Sequence, residues 1–211
     1  MNRRNYQREM EAVIVRQRQD GRVPTLLLHS CCAPCSSAVL ERLTPYFDLT
    51  VFYYNPNISP REEYNRRVSE LRRLIDEFPR VHEIRLVEGR YEPERFYAVS
   101  AGLEDCPEGG ERCRKCFSLR LGEAARVCRE LHLDYFTTTL TISPMKNAQV
   151  LNETGEAAAE AYGVRFLPSD FKKKDGYRRS IELSYEYGLY RQDFCGCEFS
   201  RRETQQRRMH S

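Results

Sequence analysis

Short apolar runs alternate along this chain with segments of helical periodicity. The runs have the length of buried β-strands and cover 25–30, 49–54, 83–88, 134–141 and 164–168. The intervening helical patterns cover 36–43, 60–78, 118–132 and 147–162. This alternation predicts an α/β fold, a single Rossmann-like parallel sheet with helices on both faces, in which ligands bind beyond the carboxyl ends of the strands.

The segment 60–78 has the clearest helical pattern. Ser59 and Glu62 have capping-box spacing, and Pro60 suits a first turn. The apolar side chains of one face are Tyr64, Val68, Leu71, Ile75 and Phe78. The sequence therefore predicts an amphipathic helix that begins near residue 60.

The length of 211 residues favours one domain rather than two. We expect an α/β core over 24–168, a segment over 169–197 that covers the site, and a helical extension at the C-terminus. The ends, 1–22 and 198–211, are rich in arginine, and we interpret them as basic, solvated flanks.

Composition narrows the functional class. The net charge of +3 does not indicate a nucleic-acid-binding protein, so any basic patch must be local. The chain lacks the roughly 18-residue apolar run of a membrane helix, and its start lacks the apolar centre of a secretion signal. Nine cysteines in such a chain predict a reducing, cytoplasmic location and metal or redox chemistry rather than structural disulfides.

The cysteines fall into separate groups that folding must bring together. Cys113 and Cys116 form one metal half-site, which the helix opening at Phe117 would stabilise. Cys31 and Cys32 form a second half-site, directly after the first strand. Four sulfurs suit either zinc or an iron–sulfur cluster.

Cys195 and Cys197 form a third pair. A C-x-C disulfide closes a very small ring, and its strain would let the pair accept and donate two electrons easily. The pair can equally hold a second iron. Cys128 lies on an apolar helix face and is interpreted as core packing, and His29 as a packing or ligand-orienting residue.

Basic and aromatic residues are concentrated between 168 and 197. Lysine and arginine side chains suit phosphates, and tyrosines suit unstacked RNA bases. The residues concerned are Lys172, Lys173, Lys174, Arg178 and Arg179 with Tyr177, Tyr185, Tyr187 and Tyr190. The alternative interpretation is a solvated basic loop.

Several motifs together resemble the QueH-type epoxyqueuosine reductases. They are LLLHSCCAPCSS, FYYNPNISPREEY, GERCRKCFSLRL, FTTTLTISPMKN, FKKKDGYRRSIELS and LYRQDFCGC, and they span most of 24–197. The resemblance implies a scaffold similar to the adenine-nucleotide hydrolases. It also implies reduction of the epoxide of epoxyqueuosine, at the wobble position of a tRNA anticodon, to the alkene of queuosine without cobalamin.

The resemblance further implies a [4Fe-4S] cluster on Cys31, Cys32, Cys113 and Cys116. Cys195 and Cys197 would be the redox dithiol or the site of a second, mononuclear iron.

The remaining candidate site residues are selected by their residue type and by their position near these motifs in the sequence. Lys146, Asp170 and Tyr177 are candidate proton donors. Candidate tRNA contacts are Lys172, Lys173, Tyr177, Arg178 and Arg191. The reaction also requires an electron donor, which the sequence does not identify, and the sequence gives no oligomeric state.

Two other functions fit part of the pattern. An iron–sulfur tRNA sulfurtransferase of the adenylating kind shares the scaffold, but it needs a glycine-rich phosphate loop where this chain has Ser30 to Ser36 without glycine. A zinc-stabilised RNA-binding adaptor would leave the C-x-C pair unused.

Overall fold

A computed structural model describes residues 4–209. The four strands of its sheet are β1 (Thr25–His29), β2 (Asp48–Tyr53), β3 (Ile84–Glu88) and β4 (Tyr135–Thr138). The helices of these residues are α1 (Tyr6–Gln19), α2 (Ala33–Leu43), α3 (Arg61–Glu77), α4 (Pro93–Ser100), α5 (Glu111–Glu130), α6 (Ala148–Tyr162), α7 (Gly176–Glu186) and α8 (Glu198–Met209), with a 3₁₀ helix at Thr139–Ile142. The predicted α/β class and the C-terminal helical extension are confirmed.

The sheet is parallel and has the strand order β3-β2-β1-β4. From β1, the strands β2 and β3 follow in chain order toward one edge of the sheet. The last strand, β4, pairs with the opposite side of β1. In β1, Leu27 pairs with Thr50 of β2 and with Phe136 of β4. The carboxyl ends of β1 and β4 therefore flank the switch point, where open α/β sheets bind their ligands.

Helices cover both faces of the sheet because the strand side chains alternate. Leu26 and Leu28 of β1 belong to the larger apolar core, together with residues of α2 and α3. Leu27 points to the opposite face and joins Ala124 of α5 and Ala159 of α6. Both faces of the central strands β1 and β2 are thus buried, as the predicted layers of helices require.

Two predicted strands are shorter than expected. The run 134–141 is a strand only as far as Thr138, and a 3₁₀ helix follows. The run 164–168 makes a single parallel bridge, Phe136 with Phe166, so the predicted fifth strand is wrong. Beyond this bridge, side-chain hydrogen bonds replace the backbone hydrogen bonds of a sheet. The Thr137 hydroxyl donates to the Leu167 carbonyl at 2.9 Å.

Two helix starts also differ from prediction. The helix expected from residue 118 begins at Glu111, so Cys113 and Cys116 lie inside α5 rather than before it. Its first turns carry charged and cysteine side chains, which hide the helical period. At α3, Pro60 is the N-cap residue and makes no side-chain cap, so the capping box expected from Ser59 and Glu62 does not form.

The described parts of both basic ends pack on the core. Met10 and Ile14 of α1 are buried in the larger core. Phe199 of α8 is buried, and Glu203 accepts from the buried Arg112 at 3.2 Å. Each basic end thus buries one helix face on the core and exposes the rest, whereas we expected solvated flanks; residues 1–3 and 210–211 lie outside the described residues.

Across residues 4–209, every helix is too short or too polar to cross a bilayer.

Candidate active site

Three cysteines meet where β1 passes into α2. Cys32 is the N-cap residue of α2, in extended conformation, and Pro34 lies in the first turn. The Sγ atoms of Cys31, Cys32 and Cys35 lie within 4.8 Å of one another, and those of Cys31 and Cys32 are 3.7 Å apart. These three residues, the cysteine trio, can supply three sulfur ligands to one metal centre.

Hydrogen bonds among the three thiols of the trio lower the pKa of one cysteine and raise the pKa of the other two. Hydrogen bonds from Cys32 and Cys35, with help from the Arg120 guanidinium, hold the pKa of Cys31 well below its usual range. The same hydrogen bond to Cys31 raises the pKa of Cys32 to about 12, and the Cys31 and Cys32 sulfurs raise the pKa of Cys35. Cys31 is therefore the most readily deprotonated sulfur of the trio, and thiolates are the form that binds metals.

A second group contains the remaining predicted cysteines. Cys113 and Cys116, three residues apart on α5, line a small cavity of about 20 Å³ together with Cys195 and Cys197. Burial raises the pKa of Cys116 to about 11 and that of Cys197 to about 12. Four sulfurs therefore surround one small cavity, and burial keeps at least two of them protonated.

The structure groups these cysteines differently from the quartet expected for the cluster. Within residues 4–209, Cys31 and Cys32 are joined at mutual ligand distance by Cys35 rather than by the α5 pair. Cys31 and Cys113 nevertheless pack against one apolar cluster, so the two groups are neighbours. The sequence analysis gave Cys35 no role, although the C-x-x-C spacing from Cys32 into a helix start was a usable signal.

The segment Cys195-Gly196-Cys197 is held from two sides. The Cys195 N–H donates to the Ser200 hydroxyl at 2.8 Å, and Ser200 N–H donates to the Cys197 sulfur at 3.4 Å. Arg67 of α3 donates to the Cys195 carbonyl at 3.1 Å. The start of α8 and the side of α3 therefore fix both thiols, which are free.

Gly196 has a steric reason to be glycine. Its φ is 125°, and a Cβ at this position would lie 2.8 Å from Cγ1 of Ile58 and 3.1 Å from Nη1 of Arg67. Only glycine meets both conditions without moving the two flanking thiols.

Replacing Gly196 by alanine should lower the free energy of unfolding more than the same change at Gly188. Gly188 also has a positive φ, of 56°, but open space around it, so Gly188→Ala isolates the backbone strain, about 1 kcal/mol. The crowding at Gly196→Ala should add a further 1–3 kcal/mol, roughly the cost of overpacking. Denaturant unfolding of both variants measures the difference, and equal losses would contradict the crowding argument.

A cavity of about 250 Å³ lies above the switch point and connects the two cysteine groups. Cys31 and Cys35 of the trio line it, and so does Cys195, which also faces the smaller cavity. We call this space the thiol cavity. Sulfurs of the trio and one sulfur of the C-x-C pair therefore line the same cavity.

Two buried arginines give the thiol cavity a positive wall. Arg120 donates to Oδ1 of Asn55 at 2.5 Å, and Arg67 donates to Oε1 of Glu63 at 2.7 Å. Each keeps one N–H group without a protein partner, Nε of Arg120 and Nη2 of Arg67. The wall can therefore stabilise anionic sulfur or an oxygen that gains negative charge.

The sequence analysis missed both arginines. Each lies on an otherwise apolar helix face, Arg67 between Tyr64 and Leu71 and Arg120 beside Leu121. A buried cation on such a face is a detectable signal, because charged side chains are rarely buried without a partner.

Lys146 lies in the wall of the thiol cavity and is half-buried. Burial by itself would lower its pKa, but the sulfurs of Cys195, Cys31 and Cys35 outweigh it and raise the pKa. Lys146 therefore stays protonated beside the thiols. Of the three candidate proton donors, Lys146 and Tyr177 line this cavity.

The other predicted substrate contacts are distributed over two surfaces. Arg191 lines the thiol cavity and donates to the Ser184 hydroxyl at 3.0 Å. Asp170, Lys172 and Lys173 line an adjoining cleft, in which Asp170 accepts from Lys172 at 2.7 Å. Arg178 is exposed and pairs with a glutamate of its own helix.

His29 and Cys128 have the structural roles expected of them. The His29 ring donates from Nε2 to the Tyr54 carbonyl (3.1 Å) and accepts the Thr138 hydroxyl at Nδ1 (2.9 Å). Burial lowers the pKa of His29 to about 3, so the ring is neutral. Cys128 is fully buried in the core between α5 and α6.

Comparison with known proteins agrees with the resemblance. The family model described as "Epoxyqueuosine reductase QueH" matches residues 26–203. Proteins of that name from Staphylococcus epidermidis and Streptococcus pyogenes are 44% and 43% identical to this chain; each match covers 93% of it, and 84% and 78% of the relative. The namesake from Thermotoga maritima is 36% identical over 83% of this chain and 90% of its own length. With that coverage and the cysteine groups in place, this chain belongs to the QueH family of epoxyqueuosine reductases.

Proposed function

We propose that this chain is an oxidoreductase of queuosine biosynthesis that reduces the epoxide of epoxyqueuosine, at the wobble position of a tRNA anticodon, to the alkene of queuosine. The observation that carries this proposal is the thiol cavity. Its wall combines Cys31 and Cys35 of the trio with Cys195 of the C-x-C pair. A reducible substrate bound there would contact sulfur from both groups.

The C-x-C pair can supply all the reducing equivalents. Converting an epoxide to an alkene breaks two C–O bonds and needs two electrons and two protons, and the oxygen leaves as water. Oxidation of Cys195 and Cys197 from two thiols to one disulfide releases two electrons and two protons, so the reaction balances. An electron donor must then reduce the disulfide before the next turnover.

The cysteine trio is the proposed metal centre, and we propose that it holds the [4Fe-4S] cluster. Three sulfurs at mutual ligand distance, one of them with a lowered pKa, fit iron–sulfur ligation. When bound, such a cluster supplies one-electron transfer and Lewis acidity. Cys113 and Cys116 remain candidates for further ligands, and Cys195 and Cys197 for a second iron.

The charged residues of the wall have separate roles in this proposal. Lys146, held protonated, is the proposed proton donor to the departing oxygen. Arg67 and Arg120 each have one N–H group that donates to no protein atom, and each is proposed to donate that hydrogen bond to the departing oxygen. Tyr177 and Arg191 are the proposed contacts to the modified nucleotide in this cavity, with segment 169–197 covering the site.

The alternative functions explain less of the site. The β1–α2 connection has no glycine, so its backbone cannot surround a pyrophosphate as an adenylating enzyme requires. A zinc adaptor gives no role to the thiols of the cavity. All nine cysteines are free, which suits the reducing cytoplasm that we propose as the location.

An anaerobic turnover assay tests the function. Iron-reconstituted protein is incubated with dithionite and tRNA that carries epoxyqueuosine, and the digested tRNA is analysed by mass spectrometry. We expect queuosine to form without ATP. ATP-dependent incorporation of sulfur would instead identify the sulfurtransferase, and bound zinc without any turnover would identify the adaptor.

A further inference from the structure

A second, larger cleft opens beside the thiol cavity. It has a volume of about 880 Å³ and lies between the start of α1, the turn 144–149, the segment 170–173 and Tyr177. The two spaces share a wall made of Pro144, Met145, Lys146 and Tyr177. A ligand in the thiol cavity therefore lies directly beside this cleft.

Size indicates that the substrate extends into the cleft. The thiol cavity, at about 250 Å³, is below the roughly 300–1,000 Å³ of typical small-molecule sites. The thiol cavity can accommodate the modified ring system of one nucleotide but not the adjacent nucleotides of the strand. The adjoining cleft is the space that remains for them.

The cleft is cationic, and one of its cations is available to a ligand. Arg4 is held by Glu9 and Glu156, Lys172 is held by Asp170, and Lys146 faces the sulfurs of the thiol cavity. Within residues 4–209, Lys173 forms no ion pair, so its charge is free for phosphate.

The backbone presents Lys173 from a fixed position. Its N–H donates to the Asp170 carbonyl at 3.0 Å, and its own carbonyl accepts from Arg42 at 3.1 Å. The side chain is exposed at the edge of the cleft. A lysine on a fixed turn loses little backbone entropy when it binds an anion.

The shared wall offers stacking surfaces. Tyr177 is 37% exposed and Met145 is 65% exposed, although both line the two spaces. An exposed aromatic ring beside an unpaired cation is a combination that suits single-stranded RNA.

We propose that this cleft binds the nucleotide next to the modified one, with its phosphate on Lys173 and its base against Tyr177. The inference rests on the proposed function, because it takes the modified nucleotide to be bound in the thiol cavity. On this proposal the substrate is a strand of RNA rather than a free nucleoside, because the protein also binds it through contacts outside the reacting ring.

RNA binding without chemistry tests the cleft. The probe is a fluorescent anticodon stem-loop that carries no epoxide, titrated into the iron-reconstituted full chain over a range of salt concentrations. Lys173→Gln should weaken binding about tenfold, the loss of one charge-assisted hydrogen bond. It should also make the salt dependence shallower by about 0.7, the value for one phosphate contact on a single strand.

Lys174→Gln is the matched control. Lys174 is the next residue and also a lysine, but it pairs with Glu11 and lines neither space. The Lys174→Gln variant should bind the stem-loop with the affinity and the salt dependence of the wild type. If Lys173→Gln and Lys174→Gln give the same affinity and the same salt slope, the proposal is overturned.

A second pair of variants tests the stacking contact. Tyr177→Phe should retain affinity, whereas Tyr177→Ala should lose about 5- to 100-fold, the range for one stacked base. Equal losses in both variants would refute the stacking contact. Because the probe cannot be reduced, these results stand even if no queuosine is formed in the turnover assay.

Discussion

Replacing both Cys195 and Cys197 by serine is expected to reduce queuosine formation by at least ~10³-fold, a barrier increase of about 4 kcal/mol. Serine hydroxyls fill nearly the same space but cannot be oxidised to a disulfide, so the two electrons and two protons of the C-x-C pair are lost. The backbone hydrogen bonds to Ser200 and Arg67 do not require sulfur at Cys195. The measurement is the rate of queuosine formation, with the iron content of each sample determined beside it.

The iron content distinguishes the two roles considered for the pair. A redox dithiol predicts full iron content and no turnover, whereas a second iron on the pair predicts the loss of one iron per chain. Cys128→Ala is the control, because it removes a buried thiol remote from the site and should leave turnover and iron unchanged. Wild-type turnover in the double serine variant would remove the pair from the mechanism.

Replacing Cys35 by serine is expected to reduce iron affinity at least ~10-fold, since the loss of even an outer-shell partner of a metal site costs that much. Cys35 is one of the three sulfurs at mutual ligand distance, and serine is a poor ligand for iron–sulfur clusters. The measurement is iron bound per chain after anaerobic reconstitution and desalting, with the visible absorption of the cluster as a second readout.

Cys106→Ser gives a matched comparison for Cys35→Ser. Cys106 is also a half-buried free thiol, but it is not part of the trio. Its serine variant should retain the iron of the wild type. Equal iron content in the Cys35 and Cys106 variants would show that the trio does not hold the metal.

Much of the fold could be predicted because apolar periodicity reports burial directly. The β1 and β2 patterns are nearly continuous and buried on both faces, and the helices α3 and α6 have clear apolar stripes. The segment 164–168 has the same composition as a strand, but side-chain hydrogen bonds rather than a ladder hold its end. A local pattern cannot distinguish these two outcomes.

The candidate site was only partly predictable, because it depends on contacts between distant segments. The sequence identified the cysteine-bearing segments by spacing, and the C-x-x-C spacing of Cys32 and Cys35 was a signal that the sequence analysis did not use; spacing alone does not show which cysteine groups the fold brings together. The roles of Arg67 and Arg120 arise from tertiary burial, which places them at one cavity from two helices. Asp170 and Lys146 were both candidate proton donors by residue type, but Asp170 lines only the adjoining cleft, whereas Lys146 also lines the thiol cavity.

A single-turnover experiment tests the central claim, that the thiols around one cavity deliver the electrons to the epoxide. Iron-loaded protein is reduced, freed of reductant under anaerobic conditions, and mixed with an excess of tRNA that carries epoxyqueuosine. Queuosine is then counted per chain. The account predicts close to one queuosine per chain in the first turnover and no more until reductant is added; a loaded, reduced protein that forms none, even when reductant is returned, would contradict it.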